Sequence, residues 1–150
     1  MYWIILTDAS VYRIFTYEKD SQNLSLLEEK FHPESKEKIS DLVTDRPGHY
    51  QTPGTTRGAY SEHQDPKKIE NAHFSKELAS YLEQGRTQNK YEGLILIAPP
   101  KANGLLLSYL SKEVKKLIIS NLKKDYVYFT QHELIDFITK NWRELIPSKL

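Results

Sequence analysis

The stretch "YEGLILIAPP", residues 91–100, constrains this chain more than any other. Leu94–Ala98 is continuously apolar and is stopped by Pro99 and Pro100. A strand that shows no polar face is buried on both faces, as strands inside a helix-covered sheet are. Helical patterns on either side support that placement. Upstream, Asp65-Pro66 reads as an N-cap followed by proline at the first helical position. Phe74, Leu78, Tyr81 and Leu82 then form one apolar face of a helix running to about Arg86. Gly85 lies near its end, where a C-terminal glycine is expected. Downstream, "NGLLLSYLS" and "SKEVKK" read as helical, the first opening near Asn103. A long helical crossover favours a parallel neighbour, so "GLILIA" is expected inside the sheet beside the first strand.

The N-terminal part carries a different strand signature. "YWIILT" is an apolar run rich in β-formers. "VYRIFTYEK" alternates, with Val11, Arg13, Phe15 and Tyr17 on one side and Tyr12, Ile14 and Thr16 on the other. "LSLLEEKFH" is a third strand. The connections "DAS" and "DSQN" are turn sequences, because Asp and Ser bond their own backbone. Connections this short specify an antiparallel meander. "PESKEKISDLV" reads as a short helix with Pro33 near its first turn. "LIISNLKKDYVYFT" holds one more strand, around Leu117–Leu122 or Tyr126–Phe129. Thr130 and Glu133 form a capping box for a last helix with Leu134, Ile135, Ile138 and Trp142. The order βββ, α, β, α, β, α specifies an α/β protein. It is a single-domain mixed sheet, an antiparallel meander plus parallel strands, flanked by helices. The length of 150 residues fits one domain over 1–150.

Composition then narrows the chemistry. There is no Cys, so disulfides and thiolate metal sites are excluded. A net charge of +1 excludes coating of nucleic acid by bulk charge, so any such contact needs a local patch. "MYWIILTDAS" lacks a basic start and meets Asp8 at once, unlike a secretory signal. No stretch approaches the ~20 apolar residues of a membrane span. The expectation is a cytoplasmic protein. No Gly-x-Ser-x-Gly elbow is present. The histidines, at 32, 49, 63, 73 and 132, are scattered. Glu62, His63, Asp65 and His73 lack the spacing of a helical zinc motif, and neither a metal nor a cofactor is expected. A two-metal nuclease needs converging carboxylates. Asp8 suits one of them, but Ala98-Pro99-Pro100 stands where another is wanted. Lys101 and Asn103 form a candidate anion site, since helix N-termini offer free N–H groups beyond the strand ends of open α/β sheets.

Between these elements lies "TDRPGHYQTPGTTRGAYSEHQDP", Thr44 to Pro66. Only Tyr50, Ala59 and Tyr60 in it are apolar. It reads as a long flexible loop at about 44–66, and loops of that length are usually functional or disordered. In and beside it, Arg46, Arg57, Lys67 and Lys68 interleave with His49, Tyr50, Tyr60 and His63. Cations with aromatic rings suit phosphate contact and base stacking. A second basic group, Lys112, Lys115, Lys116, Lys123 and Lys124, reads as a solvated face.

Several local patterns line up in order: "WIILTDASVYRIF", "HPESKEKISDLVTDRPGH", "EHQDPKKIENAHFSKELASYLEQG", "YEGLILIAPPKANGLL", "LSKEVKKLI" and "LKKD". Together they resemble the bacterial host attachment protein family, described as required for attachment to host cells. The resemblance runs to about Leu134, and its most specific pieces are "HPES", "DRPG", "DPK" and "APP". None is a catalytic motif. That family is similar in turn to the middle domain of archaeal and eukaryotic peptide-chain release factors and of Pelota, which implies a ribonuclease H-like fold. In release factors the loop before the long helix carries Gly-Gly-Gln. Here Gly54 and Gly58 are present, but Gln51 and Gln64 follow no glycine pair. The resemblance therefore implies a non-catalytic, translation-associated protein that binds the ribosome, rRNA or tRNA through the loop. Two other readings stay open: a protein-interaction module affecting attachment to host cells or surfaces, and a weak hydrolase or nuclease.

Overall fold

The fold is that of a computed structural model describing residues 1–8, 10–31 and 66–146, with the backbone alone for 66–71. The described strands are β1 (Tyr2–Thr7), β2 (Val11–Glu18), β3 (Asn23–Phe31), β4 (Gly93–Ile97) and β5 (Ile118–Leu122). The helices are α1 (Pro66–Thr87), α2 (Pro100–Tyr109), α3 (Lys112–Lys116), α4 (Gln131–Lys140) and α5 (Trp142–Leu145). The "PESKEKISDLV" helix and the 44–66 loop expected from the sequence lie outside the described residues, apart from Pro66.

The sheet order is β3-β2-β1-β4-β5. β1 and β3 pair antiparallel with β2, β4 pairs parallel with β1, and β5 pairs parallel with β4. Only β2 therefore runs against the rest, as a ribonuclease H-like sheet requires. β4 lies beside β1 inside the sheet, and all its residues are buried. Its side chains divide by parity. Leu94 and Leu96 join Trp3, Ile5, Tyr12 and Ile14 beneath Phe74, Leu78 and Leu82 of α1 and Leu106 of α2. Ile95 and Ile97 join Ile4, Leu6, Phe15 and Tyr17 against Leu134 and Ile138 of α4. Each such side chain contributes about 1.5–3 kcal/mol when fully buried, which explains why this run reads so clearly in the sequence. No helix among the described residues is long and apolar enough to cross a membrane.

Three local expectations are corrected and one pair of alternatives is decided. Gly85 does not end α1. It is buried within the helix, and a Cβ there would lie 2.6 Å from Trp3 Cη2 and 2.9 Å from Tyr91 Cε2. The terminator is Asn89, at φ 53°. The Lys90 N–H donates to Gly85 O at 2.8 Å and the Asn89 N–H to Arg86 O at 3.0 Å, the two bonds of a Schellman motif. α2 opens at Pro100 rather than near Asn103. Proline suits the first helical position, whose N–H would be unpaired anyway. Of the two strand placements, Leu117–Leu122 matches β5, while Tyr126 and Phe129 stack their rings at 4.3 Å. The Thr130–Glu133 capping box forms as expected, but α4 stops at Lys140 and Trp142 opens α5.

Candidate functional site

The strand directions define one rim of the sheet, where β1, β3, β4 and β5 end and β2 begins. α1 descends from this rim. Its Phe74 ring packs 5.3 Å from Tyr12, near the start of β2. Gly85 sits against Trp3, near the start of β1. Eleven residues of helix, about 16 Å, thus span the strand length. The eight residues from Pro66 to His73 extend about 12 Å beyond Phe74, toward and past the rim. Lys67 and Lys68 stand in this first stretch of α1. Phe31 ends β3 at the same rim. Arg46, His49, Tyr50, Arg57, Tyr60 and His63 lie outside the described residues.

A polar clamp fixes α1 beside this rim. Glu77 Oε2 accepts from the Tyr12 hydroxyl at 3.2 Å and pairs with Lys30 of β3. His73 Nε2 lies 3.9 Å from Oε1. The hydrogen bond from Lys30 holds the Glu77 carboxyl below its ordinary value, against the opposing effect of burial. Burial, then the Glu77 charge, pushes the Tyr12 phenol up. The pair is therefore carboxylate and neutral phenol at neutral pH, suited to holding a helix in place. The clamp was not legible in the sequence, since the partners of Glu77 lie on other elements.

The rim's own acid is committed to structure. Asp8 Oδ1 accepts from the Ser10 N–H at 2.7 Å, the Ser10 hydroxyl at 3.1 Å and the Val11 N–H at 2.9 Å. It closes the β1–β2 turn. Burial, then the charges of Asp8 and Asp125, pushes the Tyr128 phenol up. No group of three or more His, Cys, Asp or Glu among the described residues could hold a metal ion.

The candidate anion site divides. Lys101 is exposed in the first turn of α2, but Asn103 is only 1% exposed and is fully engaged. Its amide donates to Asn121 Oδ1 at 2.6 Å and to Ala98 O at 3.3 Å, and accepts from Asn121 Nδ2 at 3.0 Å. This reciprocal pair ties the β4–α2 turn to β5, so Asn103 is a structural residue of the rim. Asn121 was not legible as its partner.

The second lysine group also divides. Lys112, Lys115 and Lys116 belong to α3, which leads into the start of β5, whereas Lys123 and Lys124 follow its end. Five residues of strand, about 16 Å, separate them. Only the latter pair stands at the rim with Lys101. Arg13, unmarked in the sequence beyond its place in the alternation, also matters here. It donates to Glu29 Oε1 at 3.0 Å, to Val127 O at 2.8 Å and to Phe129 O at 2.6 Å. It anchors to the sheet the segment that carries Lys123 and Lys124.

Comparison with known proteins agrees with this architecture. A solved structure described as an archaeal protein superposes with a TM-score of 0.50 at 15% identity, covering 95% of this chain. This chain spans 34% of that protein's length, and the likeness is one of fold. A protein of Rickettsia prowazekii (strain Madrid E), described as uncharacterised, is 30% identical over 126 residues, covering 83% of this chain and 77% of the relative. A family model described as "Protein required for attachment to host cells" matches residues 3–138, from β1 into α4. This chain belongs to that family of proteins required for attachment to host cells.

Proposed function

We propose that the chain is a non-catalytic binding module that contributes to attachment to host cells by contacting another macromolecule at the rim where the strands end. The family match over residues 3–138 carries this reading, because it spans nearly the whole described fold. The rim is the natural contact surface: β3 ends at it and the long helix extends past it. The test is deletion of the gene in the source organism, followed by an adherence assay on host cells. Adherence falls on deletion and returns with the wild-type chain. Unchanged adherence after deletion refutes the reading.

A second reading is favoured by the charge beside the rim. Lys67 and Lys68 stand in the first turn of α1, which follows the stretch holding Arg46, His49, Tyr50, Arg57, Tyr60 and His63. On this reading the cations meet phosphates and the rings stack on bases of ribosomal or transfer RNA. Replacing Arg46 and Arg57 with Ala weakens RNA binding across sequences and flattens its salt dependence by about two counterions. Equal affinities for wild type and double variant at every salt concentration remove these residues from the contact.

A further inference from the structure

We propose that Lys101, Lys123 and Lys124 form one RNA-backbone contact surface with the first turn of α1, and that the equally basic α3 takes no part in it. The inference rests on the nucleic-acid reading above and names its surface. Topology makes the selection. Lys101 follows the end of β4 and Lys123 the end of β5, and these strands are paired neighbours, with the Ala98 N–H donating to Leu122 O at 3.0 Å. Paired strand ends stand about 5 Å apart, so the two lysines start from adjacent points on the rim. α1 packs on the same side of the sheet as α2 and brings Lys67 and Lys68 beyond it.

These charges are available. Lys101, Lys123 and Lys124 are exposed, and none forms an ion pair among the described residues. The five lysines outnumber the acids in the first five residues of α1 and in the turns at the rim, Asp8, Glu70 and Asp125. Asp8 already accepts three hydrogen bonds within its turn. The start of α2 adds N–H groups at Lys101 and Ala102, ahead of the first intrahelical donor at Asn103, and such groups favour phosphate oxygens. Lysine is a point charge with no required approach direction, which suits a phosphate chain better than a shaped carboxylate site. Half-buried Tyr126 and Tyr128 lie two and four residues after Lys124, and aromatic rings close to cations favour single-stranded nucleic acid over an acidic protein.

The experiment measures binding of a fluorescent 20-nucleotide single-stranded RNA by the full chain across a salt series. Three proteins are compared: wild type, the triple variant Lys101→Ala, Lys123→Ala and Lys124→Ala, and the charge-matched triple Lys112→Ala, Lys115→Ala and Lys116→Ala. Equal melting temperatures certify the fold of both variants. The rim triple loses about tenfold or more in affinity at low salt, and its salt slope flattens by about 2. The α3 triple stays within about twofold of wild type. Equal losses in the two variants mean bulk charge and overturn the proposal. A wild type that does not bind RNA refutes the nucleic-acid reading and the proposal with it. RNA binding untouched by the rim triple refutes the proposal alone. Displacement of the RNA by an equimolar polyglutamate peptide assigns the rim to an acidic protein instead, and also overturns it.

Discussion

Replacing Gly85 with Ala sets two opposing effects against each other, and the structure decides between them. In a helix interior Ala is favoured over Gly by about 1 kcal/mol. At Gly85, however, the new methyl would meet Trp3 at 2.6 and 2.9 Å and Tyr91 at 2.9 Å. Neither ring has room to yield. Both are buried, their centroids are 4.7 Å apart, and the Tyr91 hydroxyl donates to Leu82 O at 2.6 Å. Overpacking at such a site costs about 1–3 kcal/mol. The expected net result is a destabilisation of about 1–2 kcal/mol, the clash outweighing the propensity gain. In a chain of this size that lowers Tm by about 2–8 °C. Gly104→Ala is the control, because nothing lies within 4 Å of a Cβ there. It is expected to stabilise by about 0.5–1 kcal/mol through the same propensity term. Urea denaturation followed by fluorescence of Trp3 and Trp142 gives both values at unchanged slope. A Gly85→Ala protein as stable as wild type refutes the close-approach account.

Leu96→Ala, in the doubly covered strand, is expected to cost about 2–5 kcal/mol by denaturant titration. Asn103→Ala leaves the Asn121 amide and Ala98 O without their partner and costs about 1–3 kcal/mol. A double-mutant cycle with Asn121→Ala, read by the same titration, gives a sum smaller than its parts. Glu77 has a folded pKa below its ordinary 4.5. Its contribution is therefore complete above pH 4.5 and is lost as pH falls through the lower folded value. Stability measured down the acid limb should fall more gently in Glu77→Gln than in wild type. The Tyr91 phenol is pushed up to about 12, first by burial and then by the Glu83 charge. Its contribution is complete below pH 10 and is lost toward pH 12, which Tyr91→Phe removes from an alkaline stability profile.

The fold was legible where one local pattern had one physical meaning. The parity of β2 and the unbroken run of β4 each describe a strand's surroundings without reference to anything distant, and the Thr130–Glu133 box closes within one turn. Reading failed where a residue's role is set by a partner elsewhere. Gly85 is selected by the Trp3 and Tyr91 rings rather than by the helix end, and Asn89 takes the left-handed position that glycine was expected to fill. "DYVYF" alternates like a strand, yet its rings pack on one another and on Phe137, while Arg13 takes up two of its carbonyls. Asn103 resembled a ligand-facing residue at a helix start until Asn121 was placed opposite it. The split of the lysines into rim and far groups depends on which end of β5 each one follows. That is a matter of topology, which residue spacing alone does not encode.

The central claim is that attachment runs through the rim. Its most direct test is complementation of the gene deletion by the two charge-matched lysine variants, each confirmed to melt with the wild type. The account predicts that the chain altered at Lys112, Lys115 and Lys116 restores adherence to host cells, whereas the chain altered at Lys101, Lys123 and Lys124 does not. Equal restoration by both variants contradicts it.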